Sequence, residues 1–253
     1  MTIPAILHQT WKSAQLPGDL ERYRASWKAL NPALDHRFYD DAACLQFVCA
    51  EFPQYVGLYR SLPFAIQRAD LFRYLAVYRH GGIYADVDME CLRPIARFLA
   101  CPGALFSVEA QLTARRQREL GYARPYQIAN CMFAAPPRHP FLRAIIERAA
   151  ALCAQPISSP AEVEDTTGPR MLTRLFYETQ PANVFVLHQI FWLPSNHYPG
   201  VFPLNRNIYA RHHFRGSWKD EALSLKSLRR RWIERDILPN PFPRGLFHSR
   251  PTR

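Results

Sequence analysis

The chain has 253 residues, of which 48% are hydrophobic and 13% aromatic, and this composition excludes an intrinsically disordered protein. Its length suits a single α/β domain with a full hydrophobic core. The formal net charge is +11, because lysine and arginine outnumber the acidic residues by 32 to 21. No run of about 18 apolar residues occurs, so the sequence predicts no transmembrane helix.

Hydrophobic periodicity predicts alternating strands and helices in the first part of the chain. The elements expected before residue 81 are a strand over 5–9, a helix over 19–30, a strand over 37–39, a helix over 41–51 and a helix over 64–79. Asp41 is expected to cap the second of these helices, because an aspartate at a helix start accepts hydrogen bonds from free backbone N–H groups. Gly81 and Gly82 are expected to end the third helix, since glycine is common just beyond a helix C-terminus.

The same alternation continues through the second part of the chain. The elements expected there are strands over 83–86, 104–108, 127–133 and 183–187 and helices over 140–152 and 169–178. Pro140 and Pro169 fit the first turns of those helices. The segment 111–124 is polar and basic and is predicted to be a mobile loop. Strands that alternate with helices predict a mostly parallel sheet.

Asp86 and Asp88 stand two positions apart at the end of the predicted strand 83–86, close to a double glycine. Residues i and i+2 of a strand point to the same side, so the two carboxylates are expected to lie together. Paired carboxylates suit a divalent cation, manganese or magnesium, that also carries a diphosphate. A solvated strand end or turn produces the same Asp-x-Asp pattern, because aspartate is common in turns.

Asp70 and Arg73 stand three positions apart and therefore share one face of the predicted helix 64–79. One interpretation is an ion pair on the helix surface, which stabilises a protein very little. The other is a ligand site, in which the carboxylate accepts from hydroxyl groups while the guanidinium binds ligand oxygens. Arginine suits that role because its guanidinium is a planar fork with a permanent charge.

Residues 69–88 carry a resemblance to a known family. Ala-Asp-x-x-Arg-Tyr at 69–74, Gly-Gly-x-Tyr at 81–84 and Asp-x-Asp at 86–88 resemble the sugar-binding region of glycosyltransferase family 32. That family includes yeast-type initiating mannosyltransferases and bacterial capsule and lipid glycosyltransferases, and the clostridial glucosylating toxins share the spacing more distantly. Four further blocks resemble the family in the same order, at residues 3–11, 130–140, 167–169 and 212–218.

The resemblance implies a glycosyltransferase A-type fold, which is a Rossmann-like α/β arrangement with a mostly parallel sheet flanked by helices in a single domain. Residues 1–217 are assigned to this catalytic domain. The implied activity is a metal-dependent, retaining transfer of a hexose from a nucleotide sugar, UDP-hexose or GDP-mannose. The acceptor is a saccharide, a lipid or a protein, and the new linkage is α. The toxin-like spacing favours a UDP donor.

The resemblance also implies roles for individual residues. The implied metal ligands are Asp86, Asp88 and His212, with His213 as the alternative imidazole, and the implied cofactor is manganese or magnesium. The residues expected to act at the reacting bond are Asp88, Arg73 and Trp218. The residues expected to contact the nucleotide sugar are Trp11, Asp70, Arg73, Tyr84, Asp86, Asn130, Gly168, Ser217 and Trp218. Structural roles compete with several of these, namely a core aromatic for either tryptophan, a turn for the asparagine, a helix start for the glycine and a structural pair for the histidines.

Much of the basic excess lies after residue 217. Nine lysines and arginines fall between Lys219 and Arg253, and apolar residues recur at roughly helical intervals between Trp218 and Leu238. Residues 218–253 are therefore expected to form a basic helix and a proline-rich tail. Either this helix packs on the domain with a solvated basic face, or it contacts an anionic membrane surface.

The six cysteines include no Cys-x-x-Cys pair and lie mostly among apolar residues, so buried free thiols are expected. The N-terminus lacks the pattern of a signal peptide. Together these features favour a cytoplasmic protein, located at the inner face of the membrane if the basic segment binds lipid.

Two other classes of function stay open. A metal-dependent phosphohydrolase or nuclease also pairs aspartates with a basic surface, although it usually needs more clustered acidic ligands than this chain offers. A non-enzymatic basic module would bind anionic lipid or nucleic acid. Because the basic residues are not interleaved with aromatic residues in a nucleic-acid motif, no nucleic-acid partner is expected.

Overall fold

The computed structural model describes residues 2–155, 157, 159, 162–192, 207–213 and 247–248. Within these ranges the strands are β1 (Ile6–Thr10), β2 (Asp35–Tyr39), β3 (Gly82–Ala85), β4 (Met89–Cys91), β5 (Ala104–Gln111), β6 (Tyr126–Ile128), β7 (Met132–Ala135), β8 (Val184–Leu187), β9 (Ala210–His212) and β10 (Phe247–His248). The helices are α1 (Gly18–Leu30), α2 (Asp41–Glu51), α3 (Val56–Ser61), α4 (Ala65–His80), α5 (Ala96–Leu99), α6 (Ala114–Leu120), α7 (Pro140–Leu152), α8 (Val163–Thr166) and α9 (Pro169–Thr179). Short 3₁₀ turns lie at Pro53–Tyr55 and Gln189–Phe191.

A mixed sheet of eight strands forms the centre of this part of the chain. Its order is β10-β8-β5-β7-β3-β1-β2, and β6 pairs with β5 off this path. The strands β1, β2, β3, β5 and β8 run in the same direction, while β7 lies antiparallel between β3 and β5. The prediction of a mostly parallel sheet flanked by helices is therefore confirmed. Because β1, β3 and β5 run in the same direction, the residues that follow them lie at the carboxyl-terminal end of the sheet, where open α/β sheets bind ligands.

Alternate residues of the central strands build two hydrophobic layers. Tyr84, Phe106 and Phe133 face the layer formed with α2, α4, α7 and α9. Their ring centroids lie 5.9 Å apart for Tyr84 and Phe133 and 5.3 Å apart for Phe106 and Phe133. The neighbouring residues Ile83 and Leu105 face the other layer, which includes α1. This period of two is what strands covered on both faces require.

Gly81 and Gly82 connect α4 directly to β3. Their φ angles are 67° and 98°, in the region that side-chain-bearing residues rarely adopt. A Cβ on Gly81 would lie 2.7 Å from Cδ of Pro137, and a Cβ on Gly82 would lie 2.6 Å from the carbonyl oxygen of Ile6. The predicted role of the double glycine as the end of this helix is confirmed, and both conformation and space require glycine there.

Two predicted boundaries are wrong. Asp40 rather than Asp41 caps α2, because the backbone is extended at Asp40 and its Oδ1 accepts from the Ala43 N–H at 2.8 Å. The predicted strand 127–133 is divided into β6 and β7, because the chain leaves its pairing with the end of β5 and enters the sheet between β5 and β3. The break between β6 and β7 contains Asn130.

The segment 111–124 contains helix α6, so the prediction of a loop is wrong. Thr113 caps this helix with a hydroxyl that accepts from the Arg116 N–H at 3.2 Å. Gly121 ends it in the left-handed conformation, at a φ angle of 67°. These are ordinary capping signals of a short helix, and the density of charged residues in the segment obscured them.

The six cysteines are free thiols, and Cys44, Cys91 and Cys131 are buried. Burial raises the pKa of the Cys44 thiol to about 12 and the pKa of the Cys91 thiol to about 11. Both thiols therefore stay protonated at neutral pH. The prediction of buried free thiols is thus confirmed for three of the six cysteines, whereas Cys49 is exposed.

The predicted basic helix and tail, 218–253, fall outside the described residues except for β10. That strand pairs antiparallel with β8 at the edge of the sheet, with Phe247 opposite Val186. Among the helices that the structure does describe, none is long and apolar enough to cross a membrane.

Candidate active site

The Asp-x-Asp motif lies at the carboxyl end of β3, in a turn. The strand ends at Ala85, and the Met89 N–H donates to the Asp86 carbonyl at 2.9 Å to close the turn. The prediction that strand alternation aligns the two aspartates is therefore wrong, and the turn brings them to one side instead. The Asp86 N–H donates to the Cys131 carbonyl at 2.8 Å, which holds the turn against the start of β7.

Asp86, Asp88 and His212 form a group that could hold a metal ion. One ligand atom from each residue lies within 4.8 Å of the others, and Nε2 of His212 lies 3.1 Å from Oδ1 of Asp88. The backbone explains this convergence, because β9 pairs antiparallel with β4 in a separate two-stranded ribbon that places Met89 opposite His212. The structure thus brings together the three residues predicted as metal ligands.

His213, the alternative imidazole, has other partners. Its Nε2 lies 2.9 Å from Oε2 of Glu90, and its ring stacks on that of Tyr23 with centroids 4.0 Å apart. Its backbone N–H donates to the Asp88 carbonyl at 3.0 Å. This geometry favours His212 as the metal ligand and gives His213 the role of fixing the ribbon to the Asp-x-Asp turn.

The chemistry of this group fits a divalent cation. Two carboxylates and one imidazole suit manganese, which accepts oxygen and nitrogen ligands together, while magnesium favours oxygen. Burial alone lowers the pKa of His212, but Cys131 and the Asp88 carboxylate beside it raise that pKa well above its ordinary value. A cation therefore competes with a proton at His212, so metal affinity is expected to rise with pH.

Asp70 and Arg73 lie on an inward face of α4, with side chains only 4% and 3% exposed. Nη2 of Arg73 lies 3.1 Å from Oδ1 of Asp70 and 3.3 Å from Oδ1 of Asp86. The Tyr84 hydroxyl also donates to Oδ1 of Asp86, at 2.8 Å. Because the charges are buried, the interpretation as a surface ion pair is wrong. Arg73 instead connects helix α4 to the metal group, meaning the candidate ligands Asp86, Asp88 and His212, through its contact with Asp86. Because these charges are buried, loss of one partner would leave the other uncompensated.

Two more side chains hydrogen-bond this buried pair, and a third bonds one of those two residues. The Asn130 side-chain amide donates to Oδ1 of Asp70 at 3.0 Å, and its backbone carbonyl accepts from Nη1 of Arg73 at 2.9 Å. The Thr167 hydroxyl donates to Oδ2 of Asp70 at 2.9 Å. The Tyr74 hydroxyl donates to the Thr167 carbonyl at 3.0 Å. Asn130 therefore has a specific place in the site rather than an ordinary turn role.

The ionisation of Asp70 is shifted toward neutral pH. Burial raises the pKa of this carboxyl to about 6, although Arg73 and the Thr167 hydroxyl partly offset the effect. The carboxylate is therefore ionised at neutral pH and takes up a proton in mild acid. Carboxyls perturbed by burial next to a specific charged partner are typical of functional sites.

Trp11 follows β1 at the sheet edge that carries the aspartates. It is half-buried and packs against the cluster of Leu20, Tyr23 and Val87, of which Val87 is the middle residue of the Asp-x-Asp turn. The ammonium of Lys12 lies 5.7 Å from the centroid of the Trp11 ring. Trp11 thus packs against the cluster that contains Val87, and its contact with a nucleotide base stays a prediction.

The remaining predicted contacts are less closely tied to the site. Gly168 precedes α9, and a Cβ there would lie 2.8 Å from Cα of Glu164, so close packing against α8 explains the glycine. Its contact with the nucleotide sugar stays a prediction. Ser217 and Trp218 lie outside the described residues, and so do their predicted roles.

Two hydroxyl groups of the site, those of Tyr74 and Thr167, had no individual role among the predictions. Both stand inside blocks that resemble the family, since Tyr74 follows Arg73 and Thr167 precedes Gly168. That adjacency was the available signal. Spacing alone could not reveal the convergence, because 97 residues separate Asp70 from Thr167.

Comparisons with known proteins agree with this geometry. Residues 17–104 match the family model described as a glycosyltransferase sugar-binding region containing a DXD motif. The chain is 31% identical over 144 residues to inositol phosphoceramide mannosyltransferase 3 of Schizosaccharomyces pombe, which covers 57% of this chain and 36% of that protein. It is 30% identical over 139 residues to the mannosyl phosphorylinositol ceramide synthase SUR1 of Saccharomyces cerevisiae, with 55% and 32% covered. The chain thus spans about a third of the length of these two relatives.

A longer match involves the initiation-specific alpha-1,6-mannosyltransferase of Candida albicans, which is 23% identical over 282 residues and covers 87% of this chain and 73% of that protein. Among solved structures, the PaToxG glycosyltransferase matches with a TM-score of 0.50 and 16% identity over 70% of each chain. A likeness at this identity concerns the fold, and it confirms the predicted glycosyltransferase A-type arrangement. The region matched by the family model contains the pair on α4 and both aspartates of the turn. Over residues 17–104 the chain therefore resembles glycosyltransferases that have a DXD-containing sugar-binding region.

Proposed function

We propose that the protein is a metal-dependent, retaining glycosyltransferase that moves a hexose from a nucleoside diphosphate sugar to an acceptor. One observation carries this proposal. The guanidinium of Arg73 lies 3.1 Å from Asp70 and 3.3 Å from Asp86, so it joins a buried carboxylate to the metal group. A nucleotide sugar has its hydroxyl groups on one side of the glycosidic bond and its charged diphosphate on the other. The site has a matching arrangement, with Asp70 to accept from hydroxyl groups and Arg73 beside it to bind an anion.

The residues that would hold the cation are Asp86, Asp88 and His212, and their donor set supports manganese, with magnesium as the alternative. When bound, the cation neutralises charge on the departing diphosphate. Asp88 is assigned to the reaction because it belongs to this group and contacts the imidazole at 3.1 Å.

Arg73 is proposed to donate to oxygens at the bond that breaks, where negative charge develops on the leaving group. The Asn130 carbonyl and the Asp70 carboxylate already hold its guanidinium in place, so little reorganisation accompanies the reaction. Asp70 is proposed to accept from hydroxyl groups of the sugar. Ser217 and Trp218 are proposed to donate to the diphosphate and to the glycosidic oxygen.

We propose retention of configuration, with an α linkage in the product. An inverting enzyme needs a carboxylate base aligned with the acceptor. The two unassigned acids nearest the matched blocks have other partners. Asp165 accepts from Arg170 at 3.1 Å and from Arg174 at 2.6 Å, and Glu109 accepts from Gln127 at 2.6 Å. The departing diphosphate would then take the acceptor proton on the face from which it leaves.

The names of the relatives favour mannose as the sugar, since they describe two mannosyltransferases and a mannosyl phosphorylinositol ceramide synthase. We therefore propose GDP-mannose as the first donor to test and UDP-hexose, which the toxin-like spacing favours, as the second. The same names support a lipid or saccharide acceptor, and a protein acceptor is the further alternative.

Product analysis with a panel of nucleotide sugars tests this function. The panel contains GDP-mannose, UDP-glucose and UDP-galactose, each with manganese, with magnesium and with excess chelator. We expect slow release of free sugar from one donor without acceptor, loss of that release in chelator, and an α anomeric proton by NMR once an acceptor is found. A β-linked product would contradict the mechanism, and full activity in chelator would contradict the metal requirement.

The rival functions give different products in the same experiment. A phosphohydrolase or nuclease would cleave phosphate esters without releasing free sugar. A non-enzymatic basic module would bind anionic vesicles or nucleic acid and turn over none of the donors. Replacement of Glu109 or Asp165 by the corresponding amide is expected to leave measurable transfer, whereas loss of activity on every acceptor would identify that residue as a base.

We also propose a cytoplasmic location in which residues 218–253 contact the anionic inner face of the membrane. The nine lysines and arginines of this segment support the proposal. The protein should then sediment with anionic vesicles at low salt and dissociate at high salt, because salt screens exposed charges. Changing Arg229, Arg230 and Arg231 to serine should reduce sedimentation. No binding at low salt would instead favour a helix packed on the domain.

A further inference from the structure

One stripe of polar side chains on α4 bonds to the junction between α8 and α9. Nε2 of Gln67 donates to the Thr166 hydroxyl at 3.3 Å. The next member, Asp70, accepts from the Thr167 hydroxyl at 2.9 Å. The last, Tyr74, donates from its hydroxyl to the Thr167 carbonyl at 3.0 Å. Because these residues are spaced by three and four positions, they share one face of the helix. The carboxylate proposed to bind the sugar is therefore also one of the groups that hold the junction against α4.

The junction has a fixed backbone. The Gly168 N–H donates to the Val163 carbonyl at 3.0 Å. A Cβ on Gly168 would lie 2.8 Å from Cα of Glu164, so only glycine fits between α8 and the start of α9. Thr167 immediately precedes this glycine and is 0% exposed. Its hydroxyl therefore reaches Asp70 from a defined position in the core.

The two oxygens of Asp70 are held from different sides. Oδ1 lies 3.1 Å from Nη2 of Arg73 and accepts from the Asn130 amide at 3.0 Å, while Oδ2 accepts from the Thr167 hydroxyl. A carboxylate that is held at both oxygens cannot rotate about its terminal bond. Its remaining lone pairs then point in fixed directions. The bonds that hold it are strong, because hydrogen bonds to an ionised group are stronger than those between neutral groups.

We propose that Thr167 is the positioning residue for Asp70, because its buried hydroxyl fixes the carboxylate in the orientation that accepts from hydroxyl groups of the donor sugar. This inference rests on the proposed function. Thr167 acts through Asp70, so it affects the sugar end of the donor. The affinity for a free nucleoside diphosphate depends on the metal group instead and is independent of Thr167.

Three substitutions at the junction separate this role from a structural one. Thr167→Val keeps the shape of the side chain and removes the hydroxyl, and Thr167→Ser keeps the hydroxyl. Thr166→Val is the matched control, because it removes the neighbouring buried hydroxyl, which bonds Gln67 rather than Asp70. Sugar release from GDP-mannose and UDP-glucose, calorimetric affinity for GDP and UDP, and melting temperature are measured for each full-length variant.

Thr167→Val is expected to lower kcat/KM for sugar release by about tenfold or more, because a hydrogen bond to a buried charge is lost. Its affinity for the free nucleoside diphosphate is expected to stay within about twofold of the wild type, because the Thr167 hydroxyl bonds Asp70 and none of the proposed metal ligands. Thr167→Ser restores most of the loss, and Thr166→Val releases sugar at nearly the wild-type rate.

Similar losses in Thr167→Val and Thr166→Val, or a matching loss of affinity for the free nucleotide, would overturn the inference and leave Thr167 a structural role. If Thr167→Val does not fold, Thr167→Ala takes its place in the same comparison. If the wild type releases sugar and Thr167→Val does so at the same rate, this inference alone is overturned. A wild-type protein that releases sugar from no donor overturns the proposed function and the inference together.

Discussion

The two ends of the candidate site are built in opposite ways. At the end proposed to bind the sugar, called the sugar end, Asp70 and Arg73 are 4% and 3% exposed and belong to the protein interior. At the metal end, the side chains of Asp86, Asp88 and His212 are 25%, 14% and 11% exposed, and the histidine arrives on a separate ribbon. The sugar end is therefore part of what holds the fold together, while the metal end is attached at its edge. The same kind of substitution should affect stability at one end and only ligand binding at the other.

The largest expected effect belongs to Asp88→Asn at the metal end. Loss of this carboxylate removes a proposed metal ligand, so sugar release should fall by roughly a thousandfold, in keeping with the several kcal/mol that a metal ion supplies. The melting temperature should change little. Asp165→Asn is the matched control, because that carboxylate bonds Arg170 and Arg174 instead. Unfolding of the Asp88 variant at room temperature would show that the metal end also supports the fold.

Arg73→Met tests the other half of the comparison. It leaves Asp70 and Asp86 without their shared counter-charge, and breaking a buried ion pair from one side costs about 3–5 kcal/mol. Denaturant unfolding measures the loss. The control is Arg79→Met on the same helix, which removes an ion pair with Glu51 that is 41% and 31% exposed and should cost far less stability, because solvent screens exposed charges. Equal costs for the two variants would contradict a core role for the sugar end.

Substitutions of His212, the last residue of β9, and of His213, which follows it, should differ in their effect on metal affinity. His212→Ala is expected to weaken manganese binding by at least about ten- to a hundredfold, because even the loss of a residue that only supports a metal ligand costs that much. His213→Ala loses its contact with Glu90 and should weaken binding less. A manganese titration in the presence of nucleoside diphosphate distinguishes them. The reverse order would assign the metal to His213.

The smallest expected effect is a pH dependence specific to the sugar. Because the pKa of Asp70 is about 6, the carboxylate is charged above that pH and takes up a proton below it. Its ionised fraction, and with it the kcat/KM for the nucleotide sugar, should fall about tenfold between pH 7 and pH 5. The affinity for free nucleoside diphosphate serves as the control. An equal fall in both would place the titration at the metal end, where His212 must lose its proton.

Several features of the fold follow from local sequence, and they were predicted well. The order of strands and helices around α4 depends on hydrophobic period, and the end of α4 depends on two glycines whose φ angles are 67° and 98°. Asp70 and Arg73 meet because residues three apart share a helix face. Predictions failed where a neighbouring residue competes for the same local role, as Asp40 does with Asp41, or where a helix as short as α6 depends only on its caps.

The sequence by itself determined which residue types gather near the double glycine and which family the chain resembles. Tertiary structure decided how they meet. It placed His212, which the resemblance already favoured over His213, beside Asp88, and it brought Asn130 and Thr167 to Asp70 across 60 and 97 residues of chain. The physical reason is that a helix or turn is specified by spacing of a few residues, whereas these contacts depend on which strands pair and how helices pack. Burial also depends on tertiary packing. The spacing of Asp70 and Arg73 is compatible with an ion pair on the surface, and only the packed fold places that pair in the interior.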